Sequence, residues 1–447
     1  MKKDNEAIMN KSISMKRNWF FVFLTMWILS SCQKDDKSVF NQSPDDRLQE
    51  TLSKYQSALT GSATGWNAII TTGTGGIYHF YFRFNDSNRV FMYADVNLET
   101  ATVLKESSYR LKAIQQPSLI FDTYSYLHIL ADPNSSVNGG IQGAGLISDF
   151  EFSLDTLTAD SIHLTGSINH TKITLVKATQ QDLDDWQNGN WAKVLAFQNV
   201  GKIQNYFKRM TIGGVEYEVR VDLISRTITF TWLNSSGNLQ QFSTSYNYSA
   251  GGIDFVTPFV AGSQTINGLE IVSWDASNFI LNVKVNGSSS SISGAVQPLK
   301  IDLTAPSRWW NYAINNGGLY WISGKGFHVN GVDDAFGISA LAKYYYLIYW
   351  PSYDTGNDLF APVFINDAGT QLELQYGAAP NTPQFTVDGR AVFTLLGTYG
   401  TYPSSGPSAQ SLSQLLIPQG YYFVQTGSST YDMVSALDAK AWVTWEF

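Results

Sequence analysis

A chain of 447 residues with a formal net charge of −8 has room for roughly two to four domains and lacks the basic balance of a nucleic-acid binder. Only 15% of its residues are charged while 14% are aromatic, which excludes an intrinsically disordered chain and a coiled coil or helical repeat built from Ala, Glu, Lys and Leu. The single cysteine, Cys32, excludes an internal disulfide and a multi-cysteine zinc site.

The chain opens on a leader. Lys16 and Arg17 precede an apolar run from Phe20 to Leu29, about half the roughly 20 residues that span a bilayer. A basic start, a short apolar stretch and small residues make residues 1–31 a secretory signal. Leu29-Ser30-Ser31-Cys32 resembles a bacterial lipoprotein cleavage site, which makes Cys32 the lipidated first residue of the mature chain. The bland alternative is a buried N-terminal helix with a chance cysteine. Asp4 and Glu6 are out of place in a signal, and Met15-Lys16-Arg17-Asn18 opens a cleaner one, so the expected translation start is Met15. Gln33, Lys34, Asp35 and Asp36 follow the cysteine and resemble the tag that exports lipoproteins of Bacteroidota to the outer face of the outer membrane. A plain polar tether over 32–43 is the alternative. Without residues 1–31 the chain keeps 24 basic and 35 acidic residues, a balance of −11. Anionic lipid repels such a surface, so acyl chains and not basic residues would hold it to a membrane.

The mature part reads as mainly β, with tandem antiparallel, meander- or barrel-like domains and a few short helices. Ser43-Pro44-Asp45-Asp46 is a helix start, with a cap, a proline at the first position and acids in the first turn. Leu48, Leu52, Tyr55 and Leu59 then recur at helical spacing. Beyond it period two dominates. Tyr78, Phe80, Phe82 and Phe84 point one way and His79, Tyr81 and Arg83 the other. Val215, Tyr217, Val219 and Val221 alternate likewise with Glu216, Glu218, Arg220 and Asp222, the pattern of a sheet with one buried and one wet face. Phe82-Arg83-Phe84-Asn85 with Arg89 precedes Val219-Arg220-Val221-Asp222 with Arg226 by 137 residues. Gly75-Gly76 and Gly213-Gly214 stand before these hairpins, and Phe150-Glu151-Phe152 matches Leu269-Glu270-Ile271. Two copies of one β-unit are therefore expected, within a first domain at 44–180 and a second at 181–303, each closing on itself to remove free edges. Residues 304–447 read as a third, aromatic-rich α+β domain. Asp333 or Asp334 caps an expected helix containing Phe336, Ile338 and Leu341. Strands are expected at Tyr344–Trp350, Leu372–Tyr376, Arg390–Leu396 and Trp442–Phe447, with a long exposed loop over Thr398–Gln410.

Motifs that carry chemistry are sparse. No two of the five histidines lie three to five apart, so there is no H-E-x-x-H pair, and no G-x-S-x-G elbow occurs. Gly73-Thr74-Gly75-Gly76 precedes a strand and not a helix, which makes it a turn. No cofactor and no metal site is expected. A hydrolytic carboxylate pair stays open, because its partners meet in space and not in sequence. Three groups of residues merit attention. Phe121, Asp122, Thr123, Tyr124 and His128 form either a functional motif or half-buried strand aromatics with hydrogen bonds at strand ends. His328, Asn330, Asp333 and Asp334 lie in a polar loop that offers a ligand or cation site, or a glycine-punctuated turn. Trp309, Trp310, Trp321, Tyr349, Trp350, Tyr353, Tyr399 and Tyr402 offer an exposed aromatic patch for sugars or a protein partner, or a core.

Gly65-Trp66, the Gly-Gly hairpin, Ser108-Tyr109-Arg110-Leu111, Phe121 to Pro133 and Asp149-Phe150-Glu151-Phe152 together resemble a family of Bacteroidota surface lipoproteins, domain of unknown function 4302. The resemblance implies an accessory lipoprotein associated with outer-membrane transporters of the starch-utilisation type and their lipoprotein lids, and carries no catalytic residues over. The expectation is a non-enzymatic, lipid-anchored protein on the cell exterior that assists nutrient uptake by binding a polymer, glycan or peptide, and not nucleic acid. The alternatives are a scaffold subunit of an outer-membrane transporter complex and a hydrolase with an unrecognised carboxylate site.

Overall fold

The structure, a computed structural model, describes residues 43–113 and 116–447. The leader, Cys32 and the tag Gln33–Asp36 lie outside the described residues. The chain divides into two units, 1–54 and 55–447. The helix Pro44–Thr60 begins in the first. The Ser43 hydroxyl accepts the Asp46 amide at 3.1 Å and donates to the Asp46 carboxylate at 2.7 Å, satisfying one orphan donor of the helix start.

The second unit is mainly antiparallel β. Strands β1 (Trp66–Thr71), β2 (Ile77–Phe84), β3 (Arg89–Ala94), β4 (Lys105–Ala113), β5 (Pro117–Phe121), β6 (Glu151–Leu157), β7 (Ser161–Gly166) and β8 (Lys172–Lys177) close into a barrel in chain order. A second closed barrel follows, made of β9 (Phe207–Ile212), β10 (Val215–Asp222), β11 (Thr227–Leu233), β12 (Leu239–Ser249), β13 (Gly252–Ala261), β14 (Gln264–Asp275), β15 (Ile280–Val285) and β16 (Ser288–Ala295). The stretches that match in sequence hold equal ranks: Arg83 and Arg220 stand in the second strand of their barrels, Glu151 and Glu270 in the sixth. Both Gly-Gly pairs turn the first strand into the second. Gly75, Gly213 and Gly214 all have positive φ there, where a side chain would be strained.

Tyr78, Phe80, Phe82 and Phe84 fill the first barrel as the alternation predicts. Tyr81 does not stay wet on the other face; it is 1% exposed. The reason is a connector that the sequence reading left without structure, the helices Gln180–Gln187 and Asn190–Val194 and the 3-10 turns of Leu195–Lys202. These cover the outside of the first barrel, so Tyr81, Tyr93 and Ala101 share one apolar core with Trp186, Trp191 and the interior of the second barrel. The two barrels are also joined by a buried ion pair. Arg226, at the β10–β11 turn with φ of 51°, donates to both carboxylate oxygens of Asp95 at 2.9 and 3.1 Å and to the carbonyls of Ile77 and Asp95 at 2.5 and 2.8 Å.

The last part is a twelve-stranded sheet of β17 (Trp321–Ser323), β18 (His328–Val329), β19 (Tyr344–Asp354), β20 (Asn357–Ile365), β21 (Leu372–Glu373), β22 (Gly377–Pro380), β23 (Gln384–Phe385), β24 (Arg390–Val392), β25 (Leu395–Tyr399), β26 (Tyr421–Gly427), β27 (Thr430–Ser435) and β28 (Ala441–Glu446). The Tyr206 hydroxyl donates to Asp432 at 2.6 Å and Phe207 packs on Val434 and Ala439, fastening the sheet to the second barrel. Helices Ala305–Asn315 and Pro407–Leu415 supply Trp309, Ala313, Leu412 and Leu415 to its main core. Three expectations are corrected here. The helix over Phe336, Ile338 and Leu341 is only a 3-10 turn, Ile338–Ala340, because Asp334 and Gly337 both adopt positive φ. The loop expected at Thr398–Gln410 is shorter, since Pro407 starts a helix. The strand expected at Leu372–Tyr376 is a two-residue stub. Among the described residues no helix is long and apolar enough to cross a membrane.

Candidate functional site

The sequence-predicted residues separate into three groups. The Phe121–His128 stretch is a strand-end network. Phe121 is buried on Phe82 and Phe152. The Asp122 carboxylate takes the Arg110 guanidinium, and the Thr123 hydroxyl meets that of Ser108 at 2.6 Å. Tyr124 donates to Asp132 at 2.6 Å. Burial, followed by that acidic partner, pushes the Tyr124 phenol up to about 12. His128 accepts the Ser125 amide at 3.1 Å and stacks on Phe150 at 4.5 Å. Its ring is thereby committed to closing the helix Tyr126–Ala131, and burial lowers its basicity.

The polar loop splits in two. Asn330 forms half of an Asn-Gly turn: Asn330 and Gly331 have φ of 53° and 84°, and the Val329 amide bonds the Val332 carbonyl at 3.0 Å, the geometry in which Asn-Gly is preferred. Asp334 is committed likewise, accepting the amides of Ile338 and Ser339 at 2.9 and 3.0 Å and the Ser339 hydroxyl. His328 and Asp333 do come together. The imidazole lies on Trp442 at 3.7 Å and 19°, with Nδ1 2.6 Å from the Asp333 carboxylate. Lys325 Nζ stands 3.6 Å from the other Asp333 oxygen. The hydrogen bond with His328 holds the Asp333 carboxyl below its ordinary value. These residues, with Ser323, Asp334 and Glu446, line a cavity of about 380 Å³. Among the described residues no group of three or more Cys, His, Asp or Glu is placed to hold a metal ion.

The aromatic candidates also divide. Trp309, Trp321 and Tyr349 are fully buried. Trp309 sits 4.9 Å from Tyr349 and 4.7 Å from Phe423, so these rings are core and not platform. Trp310 is held to the buried Asp358 by an indole hydrogen bond of 2.8 Å. The Asp358 carboxylate also takes the Tyr349 hydroxyl at 2.6 Å and the Ser352 amide at 2.8 Å, while burial raises its pKa. Tyr402 is tied to the Ser408 carbonyl. The opposite face of the sheet, over Ile348, Leu359, Ala361 and Val363, carries the rest. There the rings run without a gap from Tyr346 to Tyr320 (6.1 Å), Trp350 (5.0 Å), Tyr353 (5.1 Å) and Tyr399 (5.4 Å). Tyr353 is exposed and the other four half-buried. Trp350 donates to the Gly318 carbonyl at 2.7 Å, Tyr320 and Tyr346 share a hydroxyl contact at 3.0 Å, and Tyr399 accepts from Asn357 at 2.9 Å. Each of these four is thus fixed before any ligand arrives. Of the predicted patch, Trp350, Tyr353 and Tyr399 belong to this row. Tyr320 and Tyr346 were missed, although Tyr346, Ile348 and Trp350 alternate along β19 and give the signal for Tyr346.

Domain of unknown function (DUF4302) matches residues 36–275, more than half of the chain. The chain belongs to that family. The DUF4302 region takes in the first barrel, the connector and the second barrel as far as β14; the aromatic row and the His328 cavity lie beyond it. No curated protein matches the chain. Among solved structures, the H. pylori beta clamp in complex with 5-chloroisatin is 9% identical, covering 90% of this chain and 97% of its own, with a TM-score of 0.15. The DNA polymerase III subunit beta sliding clamp of Bartonella birtlesii is 10% identical over 90% and 97%, at 0.14. A. fulgidus PCNA with the C-terminal region of FEN-1 is 8% identical over 57% and 94%, at 0.13. Similarity at these scores carries no argument about this chain.

Proposed function

We propose that the protein is a lipoprotein of a Bacteroidota cell, anchored through Cys32 on the outer face of the outer membrane, where it captures a neutral glycan chain for a nutrient-uptake system. The row Tyr346–Tyr320–Trp350–Tyr353–Tyr399 carries this reading. Five contiguous rings, four of them held by hydrogen bonds, offer apolar area at little cost in side-chain entropy, and their hydroxyl and indole edges offer hydrogen bonds. The strands β19 and β25 that bear the row, together with β20 beside β19, contain only two charged residues, Asp354 and the buried Asp358. An uncharged, hydroxyl-rich polymer suits such a surface better than an ionic one. The role assigned is binding, in partnership with an outer-membrane transporter and its lipoprotein lid, and no reaction is assigned to the row.

The interaction-subunit reading draws on a different observation. β25 is an outer strand of the sheet, with Leu395 and Leu396 42% and 62% exposed, and an uncharged edge can accept a partner's strand. Affinity electrophoresis separates the two. The full-length chain in detergent is expected to be retarded in gels containing a neutral polysaccharide, and Trp350→Ala with Tyr353→Ala to abolish the retardation. No retardation in any neutral polysaccharide, together with transporter co-purification that survives the double substitution, would leave the interaction-subunit reading in its place.

A further inference from the structure

Alternation alone does not lay out the aromatic row. Along β19 Ile348 and Trp350 face one side of the sheet and Leu347 and Tyr349 the other, as neighbours on a strand must. Tyr353 follows Trp350 by three residues, so unbroken alternation would turn it toward the core beside Tyr349. Its ring instead meets Trp350 at 5.1 Å and Tyr399 at 5.4 Å, both on the row's side. The pairing with β20 shows why. Trp350 stands opposite Leu359 and Asp354 opposite Asn357, so four steps of β19 match two of β20. The surplus residues bulge, and Ser352 takes the left-handed conformation there, with φ of 53°. A residue with a Cβ is strained in it, and a bulge of this kind re-aims a side chain.

Asp358 holds the bulge from beneath. Its carboxylate is fully buried. One oxygen accepts the Ser352 amide at 2.8 Å, and the other accepts the Tyr349 hydroxyl at 2.6 Å and the Trp310 indole at 2.8 Å. None of these partners is a cation. A buried carboxylate that lacks one is costly, and backbone strain maintained by its surroundings gathers at functional positions. Asn357, next to it on β20, turns to the opposite face and donates to the Tyr399 hydroxyl at 2.9 Å. Two consecutive residues thus fix one end of the row, Asn357 through Tyr399 and Asp358 through the bulge that carries Tyr353.

The bulge also sets how the rings face. From Tyr346 to Tyr320, Trp350, Tyr353 and Tyr399 successive planes are inclined by 38°, 52°, 65° and 77°. The two steepest steps are those at Tyr353. Stacking needs an aromatic ring laid flat on a sugar face. A crystalline ribbon such as cellulose presents its sugars in parallel planes, so Trp350, Tyr353 and Tyr399 cannot all lie flat on it. A single chain whose sugars are turned relative to one another offers each ring a face in its own plane. On the capture reading proposed above, we infer that the row selects a soluble, turned chain of a neutral glycan over a crystalline surface. Tyr353 is the specificity-determining contact, and Asp358 and Ser352 are positioning residues that act through it.

The test uses the full-length chain in detergent. Affinity electrophoresis in hydroxyethylcellulose and in pullulan gives the soluble arm, and depletion from solution by microcrystalline cellulose the crystalline arm. Retardation in a soluble glycan, with no depletion by the crystals, is expected of the native protein. Tyr353→Ala should weaken the soluble interaction about tenfold. Ser352→Pro removes the amide that Asp358 accepts and forbids the left-handed conformation, so it should weaken binding about as much. The double variant should be no weaker than either single one, because the bulge acts through one ring, whereas a merely structural defect would add to the loss of Tyr353. If Ser352→Pro does not fold, the native protein and Tyr353→Ala decide. Depletion by the crystals, unchanged affinity in Tyr353→Ala, or additive losses would overturn this inference and leave the capture reading standing. No binding in either arm would remove the capture reading and this inference with it.

Discussion

Arg226→Met is expected to damage this molecule more than any surface change. The guanidinium is 2% exposed and Asp95 is fully buried. Removing the side chain deletes four hydrogen bonds and the packing of the guanidinium on the rings of Tyr78 at 3.8 Å and Tyr248 at 4.7 Å. Methionine restores much of the volume and is no worse than arginine at φ of 51°. What it cannot restore is the positive charge, so Asp95 keeps only His79, at 3.3 Å. Breaking a buried pair from one side costs about 3–5 kcal/mol, a large part of the roughly 5–15 kcal/mol that holds a domain folded. Adding Asp95→Asn removes the orphaned charge and should return about 1–3 kcal/mol of the loss.

The pH dependence fixes the sign. Burial alone would raise the Asp95 pKa, but the charge of Arg226, helped by His79, overrides it and holds the carboxyl below its ordinary value. The pair's stabilisation is therefore complete above the unfolded value of about 4 and is lost as pH falls through the lower folded value. In Arg226→Met burial is opposed only by His79 and the folded pKa rises. The gap between variant and native protein should then narrow between about pH 7 and pH 4 as the orphan takes a proton. Urea unfolding followed by tryptophan fluorescence, repeated across that range, measures it. A cost below about 1 kcal/mol at neutral pH, additive single and double variants, or a gap that widens on acidification would refute the reasoning.

Three further predictions concern other parts of the chain. Asp149 is 3% exposed and accepts the amides of Ile168, Asn169 and Thr171 at 2.9 to 3.2 Å, so Asp149→Ala should cost about 1–3 kcal/mol in urea unfolding by taking the acceptor from three amides, that of buried Thr171 among them. Gly166→Ala should destabilise by the same route, since a Cβ there would overlap the Asp149 carboxylate, and a melting temperature within error of the native protein's would count against it. Cys32→Ser is expected to move the protein from the membrane pellet to the soluble fraction and to abolish labelling by palmitate, and continued labelling would place the lipid elsewhere.

The barrels were legible because period two and turn chemistry are local. Phe80, Phe82 and Phe84 declare an inward face within five residues, and the Gly-Gly pairs declare the turns. What the sequence hid was what lies outside each barrel. Tyr81 reads as a wet-face residue until a connector about a hundred residues later covers it, and Trp186 and Trp191 carry no periodic signal strong enough to announce that lid. The aromatic patch shows the same limit. Trp309 follows Pro306 by three residues and precedes Ala313 by four, which is helical spacing and was available as a sign of burial. By contrast, nothing local distinguishes Trp321, which is core, from Trp350, which is half-exposed, because the difference lies in which face of one sheet each strand turns outward.

Arg89 and Arg226 sharpen this into an argument about duplicated units. They occupy equivalent places in the two hairpins, 137 residues apart, and sequence alone makes them equivalent residues. The structure gives them unlike tasks. Arg89 meets Glu106 with both side chains about half exposed, a pair worth at most about 1 kcal/mol. Arg226 is driven beneath the neighbouring barrel, where its partner lies 131 residues earlier in the chain. In a tandem arrangement only the later copy has a barrel before it to dock against. One motif can thus remain a surface ion pair in the first copy and become the staple between copies in the second. The corresponding change Arg89→Met should therefore shift stability by less than about 1 kcal/mol in the same urea assay; a loss as large as that of Arg226→Met would show that position in the repeat, and not docking, sets the cost.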